Sequence, residues 1–389
     1  MNTKLKKILI IFISVLILAL IGLLIYNLFI KEPEKDGLSP GELPEGEEGG
    51  LEPGEEEGEI TPKPELKIKA ISTEMVLSPT LSVDNTKVIY YSQYNGNVWQ
   101  SAFDGSGLMK VSSAALDNLK DIIWSPDKTK VISIYQDEEE NISKYSYDYN
   151  TGKISILNPF IQEIIWSPNS DKIVYQYTNE TTDDNNISTA NPDGANWQSI
   201  FQTRMRNINL SWAGSEITFY EKPSGLTQGS LFMLNPLTKN LTKVLSGIYG
   251  MAVKWSPQGD KVLYSKTGNQ GNGIGLYIAP KNGSSETAIG ISGLIEKCVW
   301  SQDNRTIFCA VPNNIDEAEI LPDDFYKGSF MSDDEFWKIN LETGEKTILL
   351  EPWERGGGIY DAVDLFLSPL EDYLFFVSKL DGLLYSIEL

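Results

Sequence analysis

Histidine is absent from all 389 residues, and cysteine occurs twice. The first absence excludes Ser-His-Asp and Cys-His relays, HExxH zinc sites and any imidazole general base. Two cysteines cannot build a four-cysteine zinc site, an iron–sulfur cluster or a disulfide-dense scaffold. Bases are also scarce: 32 Lys and Arg against 54 Asp and Glu leave a formal net charge of −22. Phosphate binding needs clustered cations, so nucleic acid is excluded as a partner. Acidic stretches such as Asp183-Asp184 lack the spacing of a calcium loop. Neither a metal nor a cofactor is expected.

The charge that is present is unevenly placed: +3 in residues 1–30, −10 in 31–65 and −15 in 66–389. From Ile8 to Ile30 the only conspicuous polar residues are Ser14 and Asn27. At ~1.5 Å per residue this run is about 34 Å long, enough to cross a hydrocarbon core. It is longer than a signal-peptide core, and no A-x-A cleavage site or anchoring cysteine follows. A single transmembrane helix over 8–30 is therefore expected. Lys4, Lys6 and Lys7 before it place the stub 1–7 in the cytoplasm and the rest of the chain outside. Residues 31–65 hold 6 Pro, 7 Gly and 13 acids, the composition of a disordered, extended linker.

Residues 66–389 repeat one pattern seven times. An apolar strand ends in Trp or Leu, a short turn follows, and then a strand rich in Val, Ile and Tyr. The marker residues are Leu81, Trp124, Trp166, Trp212, Trp255, Trp300 and Leu367, spaced by 43, 42, 46, 43, 45 and 67 residues. Asn150-Thr151-Gly152, Asp104-Gly105 and Asn282-Gly283 mark a second hairpin in several units. Each unit thus reads as a four-stranded antiparallel meander, strands a to d, and the period is that of a β-propeller blade. The seventh unit stops after strand c, while an orphan strand, 66–71, precedes the first. Using 66–71 as the missing strand d closes the ring. The expectation is an all-β, seven-bladed propeller.

The W-S-P-x-x-x-K-[VI] turn resembles the TolB-type, WD-like propeller repeat, which implies the same architecture. Propeller peptidases similar in this repeat carry a catalytic serine and histidine; a chain without histidine is not expected to share their activity.

The repeated tryptophans are read as packing between sheets rather than as ligand platforms. Pro126, Pro168, Pro257 and Pro369 pre-set φ in the turns. Cys298 and Cys309 flank the a–b turn of blade six; the register is not fixed by sequence, so a disulfide and two buried thiols both stay open. Asn141, Asn179, Asn186, Asn209, Asn240, Asn282 and Asn304 head Asn-x-Ser/Thr triplets, which matter only in a glycosylating host.

The b–c loops and d-to-a connections share one face, and they are the long, irregular ones. The longest are 312–334 and 351–361, at blades six and seven. Long loops on a rigid scaffold are where binding usually resides. Asp323, Asp324, Phe325, Tyr326 and Phe330 from the first, with Trp353, Arg355, Tyr360 and Asp361 from the second, form the candidate contact patch. A loop that packs on itself is the competing reading. The expected function is a non-catalytic binding or scaffold module for a protein or glycan partner in the cell envelope, and no enzyme. The alternative is a propeller carbohydrate hydrolase or lyase using paired carboxylates about 5–10 Å apart, with Asp323, Asp324 and Asp361 as first candidates.

Overall fold

The computed structural model describes residues 68–112, 116–352 and 358–389. The expected stub, span and linker (1–7, 8–30 and 31–65) lie outside the described residues. Among the described residues, no helix is long and apolar enough to cross a membrane.

Residues 68–389 form seven four-stranded antiparallel sheets. In six of them the strand order is the chain order. The innermost strands are Val76–Leu81, Leu119–Trp124, Ile161–Trp166, Ile208–Ala213, Val253–Trp255, Cys298–Trp300 and Ala362–Leu367, one per blade. The seventh sheet is closed by Ile68–Ala70, which pairs antiparallel with the last strand, Leu384–Glu388, in the register Ile68 to Ile387. The ring is thus the seven-bladed propeller that the repeat implied.

The repeated residues build it through two recurring contacts. The turn serine accepts the N–H five residues on: Ser125 from Lys130 at 2.9 Å, Ser167 from Lys172 at 3.0 Å, Ser256 from Lys261 at 3.2 Å and Ser368 from Tyr373 at 2.9 Å. This fixes the a–b turn with a single side chain. The tryptophan before that serine reaches back to the preceding blade. The indole N–H of Trp124 donates to the Ser78 carbonyl at 2.9 Å, that of Trp166 to Ile123 at 2.9 Å and that of Trp300 to Lys254 at 3.3 Å. Each indole therefore ties one inner strand to its neighbour while its ring fills the gap between sheets.

The apolar core is divided to match. Seven buried clusters each join two adjacent sheets, for example Leu263 and Leu276 with Trp300 and Ile307. One of them packs Phe375 and Leu384 of the last blade on Val88 and Tyr90 of the first, sealing the ring. An eighth, of Ile274, Leu294, Leu321 and Phe330, lies under the long loop of blade six.

Cys298 and Cys309 are directly paired across the first two strands of blade six and form a disulfide. It closes a loop with a sequence separation of 11. Replacing both cysteines by alanine is expected to lower stability by about 2–4 kcal/mol while leaving the fold intact. Thermal melts of the variant and of the reduced wild type should shift downward together; an unshifted melt refutes this.

Candidate functional site

The long loop of blade six is folded back on its own ring. Asp323–Lys327 form one helical turn. The Asp323 carboxylate accepts from the Ser224 hydroxyl at 2.9 Å and the Gly225 N–H at 2.7 Å, both in the b–c loop of blade four. Asp324 accepts from the Ile320 N–H at 2.8 Å and pairs with Lys327 at 3.2 Å. Phe330 is buried, and the Phe325 ring lies 4.6 Å from the Lys379 ammonium. Tyr326 donates its hydroxyl proton to Glu296. The seat needs glycine: a Cβ on Gly225 would stand 2.3 Å from the Leu321 carbonyl oxygen, and one on Gly271 would stand 2.7 Å from Ile320.

The second stretch behaves similarly. Tyr360 packs edge-on against Phe376 and Tyr385. Asp361 is fully buried and paired with Lys297 at 2.6 Å, and Lys297 also holds Asp334 at 2.7 Å. Trp353 and Arg355 lie outside the described residues. Asp323, Asp324 and Asp361 are thus bound to protein partners, and the open carboxylates lie elsewhere.

They lie on the inner strands. Ser78, Asp121, Glu163, Asn209 and Asp364 stand there three positions before the marker Trp or Leu of their blade, and Lys297 holds the same offset in the short turn Ile295–Lys297 before its strand. In blades one, two, three and seven the inner strand is bulged here, with register shifts at Leu77/Thr80, Leu119/Asp121, Ile161/Ile164 and Val363/Phe366. Ser78 and Asp364 adopt left-handed backbone, with φ of 48° and 53°. Bulges re-aim side chains that regular pleating would bury.

Four of these groups, Ser78, Asp121, Glu163 and Asp364, meet around the axis of the ring. The Ser78 hydroxyl donates to Asp121 at 2.9 Å, joining blades one and two. Glu163 accepts from the Leu210 N–H of blade four and feels the Asp121 charge of blade two. Asp364 feels both Asp121 and the Lys254 ammonium of blade five. Lys254 donates to the Cys298 carbonyl and faces Glu296, the partner of Tyr326. The long loop and the axial charges are therefore one continuous structure.

The environment sorts these groups chemically. Desolvation pushes the Glu163 carboxyl up to about 7; the Leu210 N–H opposes this, the Asp121 charge adds to it and Lys144 opposes it. Desolvation also raises Asp364, although solvent reaches it, because protein surrounds it on the ring axis. Burial lowers Lys254, against the pull of Glu296 and Asp364. Glu163 is thus poised to give or take a proton near neutrality within the field of the Asp121 carboxyl, a pairing that acid–base chemistry uses. Among the described residues, no three His, Cys, Asp or Glu side chains are grouped to hold a metal.

The charged position was missed in the sequence because it falls inside strands that read as apolar. Its signal is positional: a polar residue at a fixed offset before the marker in six of seven repeats.

The chain matches no protein-family model, and no curated protein matches it. Among solved structures it is similar to an oligogalacturonate lyase in complex with manganese and to the oligogalacturonate lyase of Vibrio parahaemolyticus. Each has a TM-score of 0.58 and 11% identity, over 83% of this chain and 93% of the other. It is also similar to the Swd1 β-propeller domain of Myceliophteria thermophila, with a TM-score of 0.52 and 11% identity, over 84% of this chain and 100% of the other. At such identity these likenesses establish the fold. They nonetheless correct the expectation of a non-catalytic module that is no enzyme: rings similar to this one include proteins named as lyases. The chain has a WD-like, seven-bladed propeller fold that solved structures place in enzymes as well as in domains not named as enzymes.

Proposed function

We propose that the propeller is a glycan-active hydrolase, with Glu163 as the acid and Asp121 as the paired carboxylate. One arrangement carries this reading: Glu163, Asp121 and Asp364 converge from three blades on the axis of a rigid ring, where desolvation raises Glu163 to about 7. Glycoside hydrolysis needs a proton donor to the leaving oxygen and a second carboxylate for the sugar, and no imidazole. Asp364 and Lys254 stand in the same group and would orient hydroxyls of the substrate.

The charge of the site selects the substrate. The Lys254 ammonium is already engaged by Glu296, Asp364 and the Cys298 carbonyl, so a polyuronate would find no free cation there among the described residues to offset its charge. Oligogalacturonate, the substrate in the names of the similar lyases, fits poorly. A manganese ion fits poorly too, for want of grouped ligands among the described residues, and no step is routed through one. A neutral glycan fits best. The span 8–30 and the linker 31–65 would present the ring to glycans outside the membrane, a topology supported by the lysines before the span and the acids after it.

The test is incubation of the full-length protein with neutral, amino and uronic polysaccharides. New reducing ends from a neutral glycan, without an unsaturated ultraviolet-absorbing product, are expected. Turnover of none of them, or an unsaturated product from polygalacturonate, refutes the proposal.

A further inference from the structure

Blades one and two enclose a second site away from the axis. Their sheets part around a cleft of about 660 Å3. Tyr145 and Tyr147 line it from strand Ile142–Asp148, with Tyr149 in the turn just beyond and Tyr135 on strand Lys130–Gln136. Residues two apart on a strand share a face, so this wall follows from the alternation of SKYSYDY. Blade one offers Ser112 and Gly96 to the same cleft.

The rings are held in fixed orientations. Tyr135 and Tyr145 meet edge to face at 5.6 Å, as do Tyr147 and Tyr149 at 4.9 Å. Tyr149 also stacks on Trp124 at 5.9 Å, and its hydroxyl is bonded to that of Tyr91. The tryptophan that ties blade two to blade one therefore also sets one wall of the cleft. Around the rings lie Asp117, Asn118, Asp137 and Asn141. Asn141 donates to Asp137 at 3.0 Å, leaving both exposed at the surface.

Three properties together define a ligand. Pre-set aromatic faces with polar edges suit a flat ring that is apolar on its faces and polar around its rim. Paired carboxylate and carboxamide groups suit vicinal hydroxyls, which both donate and accept. No described lining residue is Lys or Arg, while two are Asp, so anionic ligands are rejected. A quaternary ammonium would satisfy the charge and the rings but would fill little of a space that belongs to the size class of drug-sized ligands. We infer that this cleft binds a neutral oligosaccharide of two or three rings, as a site separate from the axial carboxylates. The inference shares the glycan class with the proposed function but does not depend on turnover.

The test is calorimetric titration of the full-length protein, held in a detergent without a sugar head group, with neutral gluco- and N-acetylglucosamine oligosaccharides and with choline. Saturable binding of one neutral oligosaccharide is expected. Tyr145→Ala should weaken it about tenfold. Ser143→Trp, which fills the cleft and removes no ring, should abolish it with an unchanged circular dichroism spectrum. Glu163→Gln should leave it unaltered, which separates this site from the axial one. Binding of choline in place of sugar, binding of no oligosaccharide, or equal affinity in wild type and Ser143→Trp overturns the inference.

Discussion

Glu163→Gln is expected to lower glycan turnover by about 10²–10⁴-fold and, at the same time, to make the protein more stable above neutral pH. The two effects have one cause. In the unfolded chain the carboxyl titrates near its ordinary 4.5; in the ring, desolvation moves it to about 7. The folded state therefore binds the proton more tightly. Its contribution to stability is fully present below pH 4.5 and is lost as the pH rises through 7. Above that pH the wild type carries an ill-solvated charge that glutamine cannot acquire. The relief amounts to at most about 3 kcal/mol. Melting curves of the two proteins should coincide near pH 4 and separate progressively up to about pH 8, with the variant higher. A side chain that weakens the fold at working pH and is needed for activity is difficult to explain as packing. Full activity in the variant, or melting curves that differ equally at every pH, would sink the assignment.

Lys297→Met is expected to lower stability by about 3–5 kcal/mol. The ammonium is fully buried and donates to Asp334, Asp361 and the Ala362 carbonyl at 2.7, 2.6 and 3.0 Å. Ser332 bonds Asp361, and the Ala362 N–H bonds Asp334, so the carboxylates are also fixed by groups that remain after the substitution. Burial raises Asp334, and the Lys297 charge holds it down. Without the lysine two buried carboxylates face each other with less compensation. Adding Asp334→Asn and Asp361→Asn to the variant should recover much of the loss, since no buried carboxylate is then left unpaired; Lys379, which pairs with Asp361 at 3.4 Å, keeps its bond to the Phe330 carbonyl. Urea denaturation of the single and triple variants reads both effects. A single-variant loss below about 1 kcal/mol, the size expected of an exposed pair, contradicts this account.

The ring was legible because its information is local and repeated. The marker Trp, the turn serine and the hairpin signals all lie within one period, and even the clasp at 66–71 could be inferred from an incomplete last unit. Asp361 was not legible. Its sequence neighbourhood is acidic and aromatic, like a contact loop, and its partner Lys297 lies 64 residues away. Asp323 was misplaced as an open carboxylate for the same reason: Ser224 and Gly225, which bind it, belong to a loop two blades earlier. Glu163 stands between these cases. Its offset from Trp166 repeats across blades and could have been read, but its raised pKa comes from desolvation by the assembled ring, opposed by the Leu210 N–H and increased by Asp121, both from other blades. The disulfide hung on register alone, which strand composition does not specify.

The clasp has a consequence for how the chain is made. Ile68–Ala70 is among the first parts of the ring to leave the ribosome, yet its partner, Leu384–Glu388, is the last. At ~5–20 residues per second, roughly 15–60 s separate the two events. Blades one to six can assemble on their neighbours during that interval, but the edges at the seam stay without partners until Leu384–Glu388 has emerged. Ring closure therefore waits for the last blade, and the interval before it is when the chain is most open to pairing with another copy of itself.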